Sequence, residues 1–164
     1  MSQSRAANAG TSSNEDHGGD KSDLRLWLQM LTCVNVISAE IRRRLRKDYR
    51  VTLPQFDVLA QLKREEGGLR IGDLSRRLMV TSGNLTGLVD NLVESGFVVR
   101  EGVAGDRRIQ QVRMTKAGAI LFDHMAAAHR KWLEEFLAEV DGETRARLLA
   151  DLQKIKRSAS RSLD

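Results

Sequence analysis

Residues 81–115 read TSGNLTGLVDNLVESGFVVREGVAGDRRIQQVRMT, and this stretch decides the fold. Leu85, Leu88, Val89, Leu92 and Val93 recur at three- and four-residue spacing, the signature of a helix with one buried side. Thr81 or Ser82 supplies an N-cap oxygen, and the helix runs to Ser95, where Gly96 stops it. Phe97-Val98-Val99-Arg100 is strand by residue type, and Ala104-Gly105-Asp106 is a turn. Ile109 to Met114 is the returning strand, with Val112 and Met114 on one face and Arg113 on the other. Thr115 then opens another helix. A helix running straight into a β-hairpin predicts a winged helix-turn-helix, provided two further helices stand upstream.

They do. Thr52-Leu53-Pro54-Gln55 is a capping-box pattern with proline in the first turn, and it starts a helix to about Lys63 that buries Phe56, Leu59 and Ala60. The loop Glu65-Glu66-Gly67-Gly68 ends it. Ile71, Leu74 and Leu78 mark a short helix within Gly72 to Leu78. Further out, Leu24, Trp27, Leu28, Leu31, Val34, Ile37, Ile41 and Leu45 give a helix of about 25 residues from Asp23. Met30, Cys33 and Val36 widen its apolar surface beyond one stripe. Downstream, Ile120, Leu121, Met125, Ala128, Trp132, Phe136 and Val140 continue the helix opened at Thr115. Asp141-Gly142 breaks it and caps a last helix carrying Leu148, Leu149, Leu152 and Ile155.

The predicted fold is mainly α with a small β-hairpin wing: a winged helix-turn-helix flanked by dimerisation helices. Residues 1–22, rich in Ser, Ala, Asn, Gly, Asp and Glu without an apolar period, read as a flexible tail. Residues 23–164 read as a single domain. Its winged part is 50–115, and its outer helices, 23–49 and 116–164, carry more apolar surface than that part needs and call for a second copy of the chain.

The chain has 164 residues and a formal charge of +5, which favours nucleic acid or another anionic partner. No apolar run reaches the roughly 18–20 residues of a membrane span, and no secretory signal is visible. The single cysteine excludes an internal disulfide, so the cytoplasm is the simplest compartment. His17, His124 and His129 form no metal-ligand cluster with it. There is no nucleophile–base pair or phosphate loop, so the chain does not read as an enzyme and no cofactor is implied.

The side of the fourth helix opposite its apolar stripe carries Gly83, Asn84, Gly87, Asp90 and Asn91, flanked by Ser82 and Thr86. A solvated helix face ordinarily carries Lys and Glu. Small side chains let a helix lie close to base edges in the major groove, and Asn pairs bidentately with adenine. Two glycines inside a helix lower its stability by roughly 1 kcal/mol each relative to alanine, so something other than helix stability retains them. At the hairpin tip, Arg107 or Arg108 can enter a narrow A·T-rich minor groove, with Asp106 pairing internally to shape the turn. A solvated charged turn is the alternative.

Asp106-Arg107-Arg108 through Met114-Thr115 resembles the wing signature of MarR-type transcriptional regulators. Leu53-Pro54-Gln55-Phe56 and Ile71-Gly72-Asp73-Leu74-Ser75 through Leu78 are similar to that family's second and third helices. The resemblance covers about Leu24 to Leu163. It implies a homodimer built by helices 1, 5 and 6, and double-stranded DNA as partner, bound at a pseudo-palindromic operator. Helix 4 would be the recognition helix, Arg108 the minor-groove arginine and Asp106 its structural partner. It also implies repression relieved by a small-molecule effector in a cleft that Trp27, Met30, Leu31, Val34, Phe56 and Met125 would line, although each of these also reads as core. Parts of helix 1, helix 2 and the start of helix 4 look similar to a subgroup responding to hydroxycinnamoyl-CoA and related aromatic acids. Arg42, Arg43 and Arg46 would then face ligand phosphates; compensation of the helix dipole is the favoured reading of this run, and DNA phosphate contact is a further alternative. Cys33, a lone cysteine on an apolar helix, is expected to be buried and inert, which disfavours a redox switch. A non-specific architectural DNA-binding protein and a winged helix used for protein contact remain as rivals.

Overall fold

The computed structural model describes the backbone of residues 16–65, 67–103 and 106–161, and the side chains of 21–65, 67–102 and 111–161. Helix α2 (Leu53–Lys63) opens on the capping box. The Thr52 N–H donates to Gln55 Oε1 at 2.8 Å, and the Gln55 N–H donates to Thr52 Oγ1 at 3.4 Å. Two donors that no intrahelical carbonyl reaches are thereby satisfied. Phe56, Val58, Leu59 and Leu62 turn inward from α2.

Strand β1 (Leu69–Arg70) leads into α3 (Ile71–Leu78), and α4 spans Ser82–Glu94. Between α3 and α4 the chain turns on Met79, held left-handed at φ 53°. The Met79 N–H reaches the Arg76 carbonyl at 3.3 Å and the Val80 N–H reaches that of Ser75 at 3.2 Å, the paired closure of a Schellman motif. Gly96 closes α4 the same way at φ 73°, with Phe97 bonding back to Leu92 and Gly96 to Val93. Strands β2 (Val98–Val103) and β3 (Asp106–Met114) follow, then α5 (Lys116–Phe136) and α6 (Gly142–Arg161). Thr115 and Asp141 cap the last two helices, through the N–H groups of Gly118 and Thr144.

The sheet is antiparallel in the order β1-β3-β2. Leu69 faces Val112 across one ladder and Arg100 faces Val112 across the other. Directly opposed residues share a face, so Leu69, Val98, Arg100 and Val112 point the same way. Leu69, Val98 and Val112 on that face are buried with Leu74, Leu85, Val89 and Leu92, forming the core under α2 to α4. Gly68 (φ +84°) is required where β1 begins, since a Cβ there would stand 2.6 Å from the Val112 carbonyl oxygen.

Several boundaries differ from the sequence reading. β1 was not anticipated: a two-residue strand carries no period of its own and exists through its pairing with β3. Helix α1 (Asp16–Tyr49) begins seven residues before Asp23, reaching into the stretch read as tail. Gly18 and Gly19 lie in that extension, where no apolar period could reveal a helix. Helix α5 ends at Phe136, so Val140 lies beyond it, in the link to α6. Val93, expected in the core, is 38% exposed, because it falls on the rim of the buried stripe near the end of α4.

The described residues form two units that divide between Glu40 and Ile41. In the first, α1 is the only element, and Leu24, Trp27, Leu28, Leu31 and Val34 are exposed along it. Cys33 is exposed too, against the expectation that it is buried, because burial needs a second surface and one helix offers none. In the second unit α6 has no buried residue, and Leu148, Leu149, Leu152 and Ile155 stand open. No described helix is long and apolar enough to cross a membrane.

Candidate nucleic-acid interface

Helix α4 is fixed by Leu85, Val89 and Leu92, all fully buried, with Leu88 half-buried beside them. Its other side presents Ser82, Gly83, Asn84, Gly87, Asp90 and Asn91 to solvent together, as the period predicts. Thr86 is half-buried, and its hydroxyl donates to the Ser82 carbonyl at 2.9 Å, which commits its proton inside the helix. Thr81 caps α4 through the Asn84 N–H at 3.4 Å. Gly83 is the second residue of α4 and so lies in its first turn; only Gly87 is a true helix-interior glycine. The N-terminal end of α4, with its unpaired N–H groups and positive dipole end, bears Ser82 and Asn84, which suits a polyanion.

The exposed side has two carboxylates, Asp90 and, at the C-terminal end of the helix, Glu94; Asp90, the one nearer Gly87 and Asn91, is not naked. Arg100 from β2 places Nη2 2.6 Å from Asp90 Oδ1 and donates to the Thr86 carbonyl at 3.3 Å. This contact was missed in the sequence. The available signal was the two-residue spacing from Val98, which puts Arg100 on the inward side of the hairpin. On the outer side Arg113 makes a two-pronged pair with Glu101, and the guanidinium holds that carboxyl below the usual carboxylate range. Gln111 Nε2 donates to the Gly67 carbonyl, tying the hairpin to the loop before β1.

The wing residues Asp106, Arg107 and Arg108 belong to β3 by backbone, and their side chains lie outside the described residues, as do Ala104 and Gly105 of the expected turn.

The six residues expected to line an effector cleft fall in different units. Trp27, Leu31 and Val34 are exposed and Met30 half-buried in the first. Phe56 and Met125 are buried in the second. There Phe56 stacks on Phe122 with ring centroids 5.5 Å apart and meets His129 at 5.3 Å, and His129 stands edge-on to Trp132 at 6.4 Å. Burial pushes His129 below its ordinary value and pushes the Asp57 carboxyl up, each shift partly offset by the other's charge. The arginine run at the end of α1 divides in role. Arg44 pairs with Glu135 at 2.6 Å and lies over the Trp132 and Phe136 rings, whereas Arg42, Arg43 and Arg46 are exposed. Among the described residues no cluster of His, Cys, Asp or Glu is placed to hold a metal ion.

A capped, three-helix unit whose last helix feeds a hairpin and bares a small polar face is a winged helix-turn-helix, the class of protein that this site and fold define. Residues 51–109 match the MarR family. A MarR family transcriptional regulator from Silicibacter pomeroyi of known crystal structure is 32% identical, with a TM-score of 0.73 over 89% of this chain and 99% of that one. The transcriptional activatory protein BadR of Rhodopseudomonas palustris (strain ATCC BAA-98 / CGA009) is 34% identical over 104 residues, which are 62% of this chain and 59% of BadR, so the match spans about six tenths of that relative. Sco3205, a MarR family regulator from Streptomyces coelicolor solved in complex with DNA, shares the fold at 18% identity, with a TM-score of 0.75 over 85% of this chain and 88% of that one. The chain belongs to the MarR family of transcriptional regulators.

Proposed function

We propose that the chain acts as a homodimeric regulator that binds double-stranded DNA sequence-specifically and represses until a small-molecule effector releases it. In this reading residues 23–164 work as one regulator domain. Helix α4 enters the major groove, presenting Ser82, Gly83, Asn84, Thr86, Gly87 and Asn91. Arg107 and Arg108 take the wing to the minor groove, and Asp106 shapes the wing tip. The observation that carries the reading is the exposed face of α4 from Ser82 to Asn91, free of long side chains and with the one carboxylate of that stretch, Asp90, paired with Arg100. A helix that only met water would gain by filling that face with Lys, Glu and Ala. The open apolar stripes of α6 and of α1, each on its own unit, support association with a second copy. For the effector, an aromatic acid or its CoA thioester suits the apolar and aromatic residues around Phe56, with Arg42, Arg43 and Arg46 as counter-charges for its phosphates.

The test is selection from a randomised duplex library, followed by fluorescence anisotropy on the enriched sequence. A two-fold protein predicts a pseudo-palindrome with half-sites roughly 34–36 Å apart. Binding without enrichment of any sequence would instead support non-specific, phosphate-dominated contact. No binding to duplex DNA at all would favour a winged helix used for protein contact.

A further inference from the structure

Arg100 is an anomaly in the hairpin. Its cross-strand partner is Val112, and it shares the inward face with Val98 and Val112, which are fully buried. Three quarters of its side chain is withdrawn from solvent, leaving 25% exposed. Its Nε is buried and makes no hydrogen bond. An apolar side chain of similar length would fill this slot with no orphaned donor. The guanidinium instead crosses from β2 to α4 and joins the helix at two points one turn apart, the Asp90 carboxylate and the Thr86 carbonyl. Asp90 lies on the same helical side as Gly83 and Gly87, whereas Thr86 flanks it.

We propose that Arg100 is a positioning residue for DNA binding, latching the wing to the recognition helix so that major-groove and minor-groove contacts form together. The inference rests on the DNA-binding reading above. Two contacts on one rigid body reinforce one another when the spacing between them is fixed, because the second then forms without further ordering. The β2 strand continues from Arg100 to Val103, so the latch ties α4 to the strand that leads to the wing. It also pairs with Asp90, the carboxylate nearest the small face of α4.

The experiment is a double-mutant cycle between Arg100→Met and Arg108→Ala, read by anisotropy on the duplex selected for the wild-type protein, with thermal unfolding run in parallel. If Arg100 positions the wing, each single variant lowers affinity by at least about fivefold, and the double variant is no more than about twofold weaker than Arg100→Met alone. Arg100→Lys, which keeps the charge and reaches one acceptor, recovers part of the loss. Additive losses would mean that the wing contact forms regardless of Arg100, and would overturn the proposal. Wild-type affinity in Arg100→Met/Asp90→Asn would overturn it too, since charge cancellation alone would then be the role. If Arg100→Met does not fold, Arg100→Gln, which likewise removes the charge and the contact with Asp90, takes its place in the cycle under the same criterion. Failure of the wild-type protein to bind duplex DNA defeats the DNA-binding reading and this proposal together, whereas additive losses in a protein that binds defeat only the latch.

Discussion

Replacing Gly87 by alanine sets stability against binding, and the structure fixes the sign of each. Gly87 is the sixth residue of α4, inside the helix. A Cβ built there meets nothing within 4 Å. Alanine at an interior helical position is favoured over glycine by about 1 kcal/mol, mainly through the backbone entropy that glycine loses on folding. With no steric penalty to subtract, Gly87→Ala should stabilise the protein by about that amount. For a chain of this length each kcal/mol moves Tm by about 2–4 °C, so a rise of that size is expected by circular dichroism. On DNA the sign reverses. The added methyl stands on the face that must approach the base edges, and a loss of at least about 1 kcal/mol, or roughly fivefold in Kd, is expected by anisotropy on the selected duplex. A more stable variant that binds DNA as tightly as wild type would refute the reasoning, because Gly87 would then not be kept for close approach. Gly83, in the first turn, should show a smaller gain in stability, since the helix interior is where glycine is most unfavourable.

Two further outcomes follow from the second unit. Gly118→Ala should destabilise the protein by about 1–3 kcal/mol in urea unfolding, because a Cβ there would run into the Phe97 carbonyl and lie 3.1 Å from Met114 Cγ, and backbone cannot yield as a side chain does; an unchanged midpoint would contradict the packing of α5 against the end of α4. His129→Phe should flatten the acid limb of the stability curve. Burial lowers the folded pKa of His129 below its ordinary 6.5, so the unfolded chain binds the proton more readily and stability is lost as pH falls through and below that value. Asp57 works the other way at lower pH: its raised folded pKa gives a contribution present in acid and lost as pH climbs through the carboxylate range from 3.8. The same slope between about pH 7 and pH 5.5 in wild type and His129→Phe would show that His129 does not govern that limb.

What was legible in the sequence was local. The capping box at Thr52, a cap at Thr81 or Ser82, the stop at Gly96 and the apolar stripe of α4 each involve residues within one or two turns, so spacing alone reveals them, and the structure settles the cap on Thr81. What escaped depends on partners distant in the chain. β1 is defined by Val112 and Gln111, more than forty positions away. The exposure of Cys33 and of the α1 stripe depends on what lies beside that helix, which no periodicity encodes. The proposed site was half legible for the same reason. The face of α4 follows from a period of 3.6, but the state of Asp90 follows from a strand register that brings Arg100 to it.

That register changes how the face of α4 is understood. Read from the sequence, Asp90 looks like a flaw in a DNA-binding surface, a charge of the wrong sign beside Gly87. In the folded chain its carboxylate is half of an ion pair whose other half is mostly buried, and a buried guanidinium is screened less by salt than an exposed one. Near phosphate the pair presents a dipole rather than an anion. The same bond ties the helix to the strand that bears the wing. An exposed lysine on α4 would also have cancelled the charge, at no desolvation cost, but it would have crowded the small face and joined nothing to the hairpin. Placing the cation on β2, under the sheet and away from the reading face, is the arrangement that neutralises Asp90 while leaving Gly83, Asn84, Gly87 and Asn91 open.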